Sequence, residues 1–291
     1  MAFAEEEGAR FHEEAERLTE VIHAHPERRL VRHRVHARYE VTDLDAASTI
    51  GRCLTRGWLD LVSFMDHTPG ERQFRSRADF VAYFTRAYGL SEDRVEAVAC
   101  RKLDRKRDHA ALLDGTARAL AAAARDQRVA LASHDDDCAE QVAWAAELGV
   151  SIAEFPVTLE AAVAAKGRGL HVLMGAPNIV RGGSTGQNLA AHAARAAGCL
   201  DALCSDYYPA SLLHAMVKLH RDEGAGLAES VRLVTVNPAR ALGLDDAIGS
   251  LEAGKRADVV VVGWAGTMPV VTRTIRDGRE VFVAGYGETD A

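Results

Sequence analysis

Short apolar runs recur along this sequence, and segments with helical periodicity lie between most of them. The apolar runs fall at 58–65, 128–133, 150–155, 170–175 and 201–205. Before them, the series Phe11, Ala15, Leu18 and Ile22 follows helical spacing, which predicts a helix. Residues 29–41 then alternate with a period of two, which predicts a strand. Strands that alternate with helices pair in parallel, so the sequence predicts an α/β layer or barrel.

Other segments depart from this alternation. Residues 91–127 are long and charged, and they predict one or two additional helices on the outside. The stretch after residue 226 predicts further helices. The last part contains the apolar run 257–262 and a hairpin at 274–283, whose turn is Asp277-Gly278. We therefore expect a small antiparallel β unit near the end of the sequence.

Composition excludes several classes of protein. The chain has 291 residues, is 48% hydrophobic and carries 42 acidic against 35 basic side chains, so its net charge is −7. This balance argues against nucleic acid or an anionic membrane as a general partner, although residues 100–109 form a local basic run. No stretch approaches the roughly 20 apolar residues that cross a bilayer, and the first residues are acidic, so we expect a cytoplasmic protein. The five scattered cysteines predict reduced thiols.

Titratable or ligand-type side chains follow nearly every predicted strand. In parallel α/β folds the functional site lies at the carboxyl ends of the strands. A single histidine at a strand end is more often structural than functional. Repetition at six strand ends favours a site. These residues are Glu40, Asp66 with His67, His134 with Asp135, Glu154, Asn178 and Asp206.

The run His134 to Asp137 allows two interpretations. His134 would reach the mouth of the site, where a neutral imidazole suits zinc, manganese or iron. Asp136 and Asp137 are expected to cap the helix that starts near Cys138. Asp135 could cap the same helix or support His134, and capping is slightly favoured.

The strand before Glu40 has one polar face. Arg34, His36, Arg38 and Glu40 share this face, either towards solvent on an edge strand or into the mouth of a barrel. In a barrel, Glu40 would reach a metal, and Arg38 beside it would contact an anion or pair with a carboxylate.

Two loops are candidates for binding phosphate. The segment 175–188 is rich in glycine, and Gly182, Gly183 and Gly186 would let backbone N–H groups approach an anion. Further donors come from Arg181, Ser184, Gln187 and Asn188. The segment 65–74 contributes His67, Arg72 and Gln73 just after a strand. The alternatives are a flexible loop and an ordinary Pro-Gly turn.

The blocks "SHDD", "AEFPVTLEAA", "MGAPNIVRGGS", "SDYYPASLL", "MDHTPGERQF" and "GSLEAGKRADVVVV" resemble the amidohydrolase superfamily. Within it they resemble the alpha-D-ribose 1-methylphosphonate 5-triphosphate diphosphatase branch of the carbon-phosphorus lyase pathway. The resemblance runs over nearly the whole chain. It implies a TIM-like, metal-dependent (β/α) barrel at 1–245, followed at 246–291 by strands of an accessory β-sandwich.

The resemblance also implies a reaction and a set of site residues. The reaction would be hydrolysis of the ribosyl triphosphate to the 5-phosphate and pyrophosphate, with a divalent ion, zinc or manganese, as cofactor. Asp206 would bind metal and accept the proton of the attacking water, with Glu40 and His134 as the other ligands. The expected partner is this small phosphorylated sugar phosphonate, and a homo-oligomer stays open. The implied substrate contacts are Arg38, His67, Arg72, Gln73, Asn178, Arg181, Gly182, Gly183, Ser184 and Asn188.

This sequence departs from the superfamily pattern at its start. The resemblance implies a His-x-His or His-x-Asp pair on a first barrel strand, and the chain instead opens on a helix. We therefore expect a barrel incomplete at its N-terminus. Two alternatives to the diphosphatase stay open: an inactive remnant that binds phosphosugars or joins a complex, and an amidohydrolase that acts on cyclic amides, against which the phosphate-binding residues argue.

Overall fold

The computed structural model describes residues 2–3, 12–184 and 188–285. The chain divides into two compact units. The first unit comprises Met1–Ala24 and Arg34–Leu170, and the second comprises His25–His33 and His171–Ala291. The predicted domains 1–245 and 246–291 stay a prediction. Among the helices of the described ranges, none is long and apolar enough to cross a membrane.

Parallel strands form the centre of the first unit, in the order in which they occur along the chain. The strands are β1 (Ala2–Phe3), β2 (His36–Glu40), β3 (Leu61–Met65), β4 (Ala130–His134) and β5 (Ile152–Glu154). Their helices are α1 (His12–Ala24), α2 (Leu44–Thr55), α3 (Arg77–Tyr88), α4 (Glu92–Asp126), α5 (Ala139–Glu147) and α6 (Leu159–Gly167). The register places Glu40 opposite Met65 and His134 opposite Glu154, so side chains after these strands meet at one edge.

The first predicted strand is shorter than its sequence pattern. Residues 29–41 alternate in polarity, but β2 begins only at His36. The backbone N–H of Val35 donates to the carboxylate of Asp60 at 2.9 Å, so the ladder with β3 begins one residue later. Tyr39 of β2 and Phe64 of β3 are fully buried in the core.

Helices α3 and α4 form the connection between β3 and β4. Helix α3 begins at the N-cap Ser76, whose hydroxyl accepts the N–H of Asp79, and it ends at Gly89 with φ = 64°. Helix α4 runs for 35 residues and bends at His109. The helices predicted over 91–127 are therefore one bent helix. The core cluster that joins the two helices includes Phe74, Phe80, Val95 and Ala99.

The second unit combines a parallel strand pair with a separate antiparallel sheet. Strands β6 (His171–Gly175) and β7 (Ala202–Cys204) are parallel, and β8 (Val259–Ala265), β9 (Met268–Arg276) and β10 (Arg279–Val283) form the antiparallel sheet. The helices are α7 (Ala176–Arg181), α8 (Ala191–Ala196), α9 (Ser211–Arg221), α10 (Leu227–Arg232) and α11 (Val236–Ala241). The predicted α/β class, the terminal antiparallel unit and its turn are confirmed, since Asp277 and Gly278 both adopt positive φ between β9 and β10.

Candidate metal centre

Two histidines and one aspartate converge at the carboxyl ends of β3 and β4. His67, His134 and Asp135 each offer one ligand atom, and these atoms lie within 4.8 Å of one another. His67 and His134 also contact each other edge to face, with ring centroids 6.1 Å apart. Two imidazoles and a carboxylate are ligands that zinc and manganese accept. This donor set therefore fits a divalent metal.

Glu40 fixes the orientation of His67. Its Oε2 atom accepts a hydrogen bond from Nδ1 of His67 at 2.7 Å, and its Oε1 atom accepts the backbone N–H of the same residue at 3.1 Å. Oε1 also lies 3.2 Å from the hydroxyl of Thr42 and 3.2 Å from the ammonium of Lys102. Because Nδ1 of His67 is engaged by a carboxylate, its Nε2 atom is left for a metal.

The charge state of Glu40 follows from its surroundings. Burial raises the pKa of this carboxyl, but the nearby Lys102 and His67 outweigh burial and hold the pKa below its ordinary value. Glu40 is therefore ionised. An ionised carboxylate has about four lone-pair positions. Three of the four donors that contact Glu40 lie on Oε1 and one lies on Oε2, so the second lone pair of Oε2 is the position from which Glu40 could ligate a metal as predicted.

Glu154 orients the second histidine. The Nδ1 atom of His134 donates to Oε2 of Glu154 at 2.7 Å, and Nε2 accepts from the guanidinium of Arg38 at 3.0 Å. The ring is only 4% exposed, and burial lowers the pKa of His134 to about 3. The imidazole is therefore neutral, with its lone pair on the nitrogen that also lies 3.3 Å from Asp135.

The three aspartates after His134 have separate contacts. Asp135 has φ = 56°, a strained conformation for a residue with a Cβ atom, and its N–H donates to the carbonyl of Glu154 at 2.9 Å. Asp136 accepts from Arg72 at 2.8 Å, and Asp137 accepts the N–H of Arg72 at 2.7 Å. The N-cap of α5 is Cys138, which makes no side-chain cap bond. The expectation that Asp136 and Asp137 cap this helix is wrong, because the loop after β3 takes both carboxylates.

Other predicted site residues of the first unit surround this cluster. Arg38 contacts His134 and the sulfur of Met65. Arg72 is 6% exposed and donates to the carbonyl of His134 as well as to Asp136. Gln73 lies half-buried in the turn between Glu71 and Phe74. These contacts hold the loop after β3 against the end of β4.

The remaining predicted residues lie in the second unit. Asp206 follows β7 by two residues, is exposed and has φ = 47°. Asn178 and Arg181 belong to α7, and Arg181 donates to the hydroxyl of Tyr207 at 3.0 Å. Gly182 ends α7 with φ = 81°. The described residues of the predicted phosphate loop include Gly183, Ser184 and Asn188, whereas Gly186 and Gln187 lie outside the described residues.

Sequence reasoning did not assign every residue of the cluster to a metal. We predicted His67 as a substrate contact, and it lies among the three candidate ligands with Asp135. The run of three aspartates after His134 marked Asp135 as a candidate. Its positive φ, which accompanies its position beside the two histidines, could not be predicted from the sequence. Lys102 was also missed, although the basic run 100–109 pointed to it.

Comparison with known proteins identifies the class. The model of the amidohydrolase family matches residues 77–281. The chain belongs to this family, and its fold is the TIM-like α/β type with a small antiparallel sheet near its end. N-acetylglucosamine-6-phosphate deacetylase from Pasteurella multocida has the same fold, with a TM-score of 0.56 at 10% identity over 92% of this chain and 72% of that one.

Two curated relatives are more similar to this chain in sequence than the deacetylase is. Alpha-D-ribose 1-methylphosphonate 5-triphosphate diphosphatase of Escherichia coli strain K12 is 40% identical over 86% of this chain. Imidazolonepropionase of Porphyromonas gingivalis is 35% identical over 30% of this chain and 23% of its own length. The chain spans 66% of the E. coli relative, slightly less than two thirds of its length.

Proposed function

We propose that this protein hydrolyses alpha-D-ribose 1-methylphosphonate 5-triphosphate to the 5-phosphate and pyrophosphate, in phosphonate breakdown by the carbon-phosphorus lyase pathway. The observation that carries the proposal is the 40% identity to the E. coli diphosphatase over 86% of the chain. The cluster of His67, His134 and Asp135 supports it, because hydrolysis of a phosphoric anhydride benefits from a divalent ion, here zinc or manganese.

The residues of the first unit hold the cofactor. His67 would present its Nε2 atom, and His134 would present Nε2 in exchange for its hydrogen bond with Arg38, while Glu40 and Glu154 fix the orientation of the two rings. When bound, the ion would act as a Lewis acid and stabilise the negative charge on the attacked phosphoryl group. We retain Glu40 as a further candidate ligand through its Oε2 atom, which accepts one hydrogen bond from His67.

The residues of the second unit complete the proposal. Asp206 is the candidate metal ligand and general base, which takes the proton of the attacking water. Arg181 and the glycines at 182 and 183 form the candidate cradle for the leaving pyrophosphate, because a forked cation and free N–H groups suit its oxygens. Asn178, Ser184 and Asn188 are candidate donors to the same substrate. In the first unit, Arg38, Arg72 and Gln73 keep their proposed substrate contacts.

The test is pyrophosphate release from the ribosyl triphosphate by protein loaded with zinc or manganese. Asp206→Asn and His67→Ala should each reduce release at least about 100-fold, because one loses the candidate base and the other loses a ligand. Asp246→Asn, at an exposed position, is the matched control and should release pyrophosphate like the parent. Failure of the metal-loaded parent to release pyrophosphate would reject the proposed function.

A further inference from the structure

Helix α4 presents two lysines to the ends of neighbouring strands. Lys102 and Lys106 are four residues apart, so they lie on one face of the helix, one turn from each other. The ammonium of Lys102 is 3.2 Å from Glu40, at the end of β2. The ammonium of Lys106 is 2.7 Å from Asp66, at the end of β3.

Both lysine contacts flank His67. Glu40 binds the ring of His67 and its backbone N–H, as described above. Asp66 precedes His67 in the chain, and its Oδ1 atom accepts the N–H of Thr68 at 3.0 Å. The turn that carries His67 is therefore held from α4 through two carboxylates. Lys106 also pairs with Glu71 further along the same loop.

These ion pairs are not ordinary surface contacts. The side chains of Glu40 and Asp66 are 5% and 8% exposed, and those of Lys102 and Lys106 are 19% and 33% exposed. Removal of one partner from a largely buried pair leaves the other charge uncompensated. Lys106 and Asp66 are in direct contact at 2.7 Å, and both also line a cavity of about 330 Å³.

We propose that Lys102 and Lys106 are positioning residues that hold His67 in the orientation needed to bind the metal. Lys102 acts through Glu40 and Lys106 through the backbone turn at Asp66. The basic run 100–109 thus serves the metal centre. This inference rests on the metal site of the proposed function and is independent of the substrate.

The test measures Zn²⁺ affinity of the full chain, without substrate, by competition with a coloured chelator. Lys102→Met should weaken binding roughly 10–100-fold, as is typical when a group that orients a metal-binding histidine is lost. Lys102→Arg should recover part of the affinity, and Lys106→Met should weaken binding less. Arg107→Met on the same helix, 69% exposed in its side chain, is the matched control and should bind like the parent.

A double variant separates positioning from general damage. If Lys102 acts through Glu40, zinc binding by Lys102→Met/Glu40→Gln should be no weaker than binding by Glu40→Gln alone. Unchanged affinity in Lys102→Met, full additivity in the double variant, or a parent that binds no zinc would each overturn the inference. Should Lys102→Met fail to fold, Lys102→Gln takes its place. Zinc binding that depends on Lys102 without pyrophosphate release would reject only the proposed substrate.

Discussion

At the scale of single residues, the two histidines of the metal centre depend on carboxylates behind them. Glu154 holds the ring of His134 from 2.7 Å, and we expect Glu154→Ala to weaken Zn²⁺ binding roughly 10–100-fold because the ring loses its fixed tautomer and orientation. Metal titration measures this change. Glu20→Ala, at an exposed helix position, is the control, and equal affinities of the two variants would contradict the role of Glu154.

A substitution of Arg72 tests whether this residue has a structural role or makes the predicted substrate contact. It is 6% exposed and pairs with Asp136, which is 1% exposed. Arg72→Met should lower the free energy of unfolding by about 3–5 kcal/mol, because the buried aspartate loses its partner. Urea unfolding measures the loss, and Arg107→Met, at an exposed position, should leave stability as in the parent. A variant with parental stability and a raised KM would instead favour the predicted substrate contact.

At the scale of elements, the helical pair α3–α4 depends on its aromatic contact. Phe80 is fully buried in this pair and lies 5.2 Å from Phe74, ring centroid to ring centroid. Phe80→Ala should cost about 3–5 kcal/mol, because it removes buried area and leaves a cavity. Urea unfolding and hydrogen exchange of α3 measure the effect. Tyr83→Ala, at a 49% exposed position of the same helix, should cost much less, and equal losses would contradict this account.

The half-buried His36 on β2 and the buried His134 on β4 make stability depend on pH. Burial lowers the pKa of His36 to about 4 and that of His134 to about 3. A histidine in the unfolded chain has a pKa of about 6.5. Below this pH these two histidines are therefore protonated in the unfolded chain but remain neutral in the folded chain. The free energy of unfolding should therefore decrease as the pH is lowered below about 6.5. At pH 5 the loss relative to pH 7 should reach up to about 2 kcal/mol per histidine.

Urea unfolding of the metal-free protein at pH 7 and pH 5 measures this fall. His36→Asn removes one of the two groups and should make the dependence shallower. His25→Asn, at an exposed position, should leave it as in the parent. A parent protein equally stable at both pH values would contradict the buried neutral state.

At the scale of the whole molecule, metal removal should lower thermal stability. A ligand that binds only the folded state stabilises it by about 2.7 kcal/mol at a concentration 100-fold above its Kd. A chelator should therefore lower Tm, and added Zn²⁺ should restore it. His67→Ala should abolish this response, whereas His214→Ala in α9 should retain it. A Tm that changes with neither chelator nor Zn²⁺ would contradict a metal site in the folded chain.

The sequence by itself determined the α/β class, the approximate positions of the strands from β2 onward and the terminal hairpin, whereas the expectation that the chain opens on a helix was wrong, because β1 precedes α1 and pairs with β2. These features follow from local periodicity and turn residues, such as Asp277-Gly278, which act within a few positions of the chain. It also placed His67, His134 and Glu154 at strand ends, because parallel strands expose those ends at one edge.

Only the tertiary structure decided what these side chains do. It brings Asp135 to His67 and His134, takes Asp136 and Asp137 to Arg72, and places Lys102 beside Glu40. Glu40 and Lys102 are 62 residues apart in sequence. Their contact depends on the register of β2 with β3 and on the course of the bent helix α4. Such long-range geometry leaves no periodic pattern in the sequence, because it results from packing and charge between distant segments.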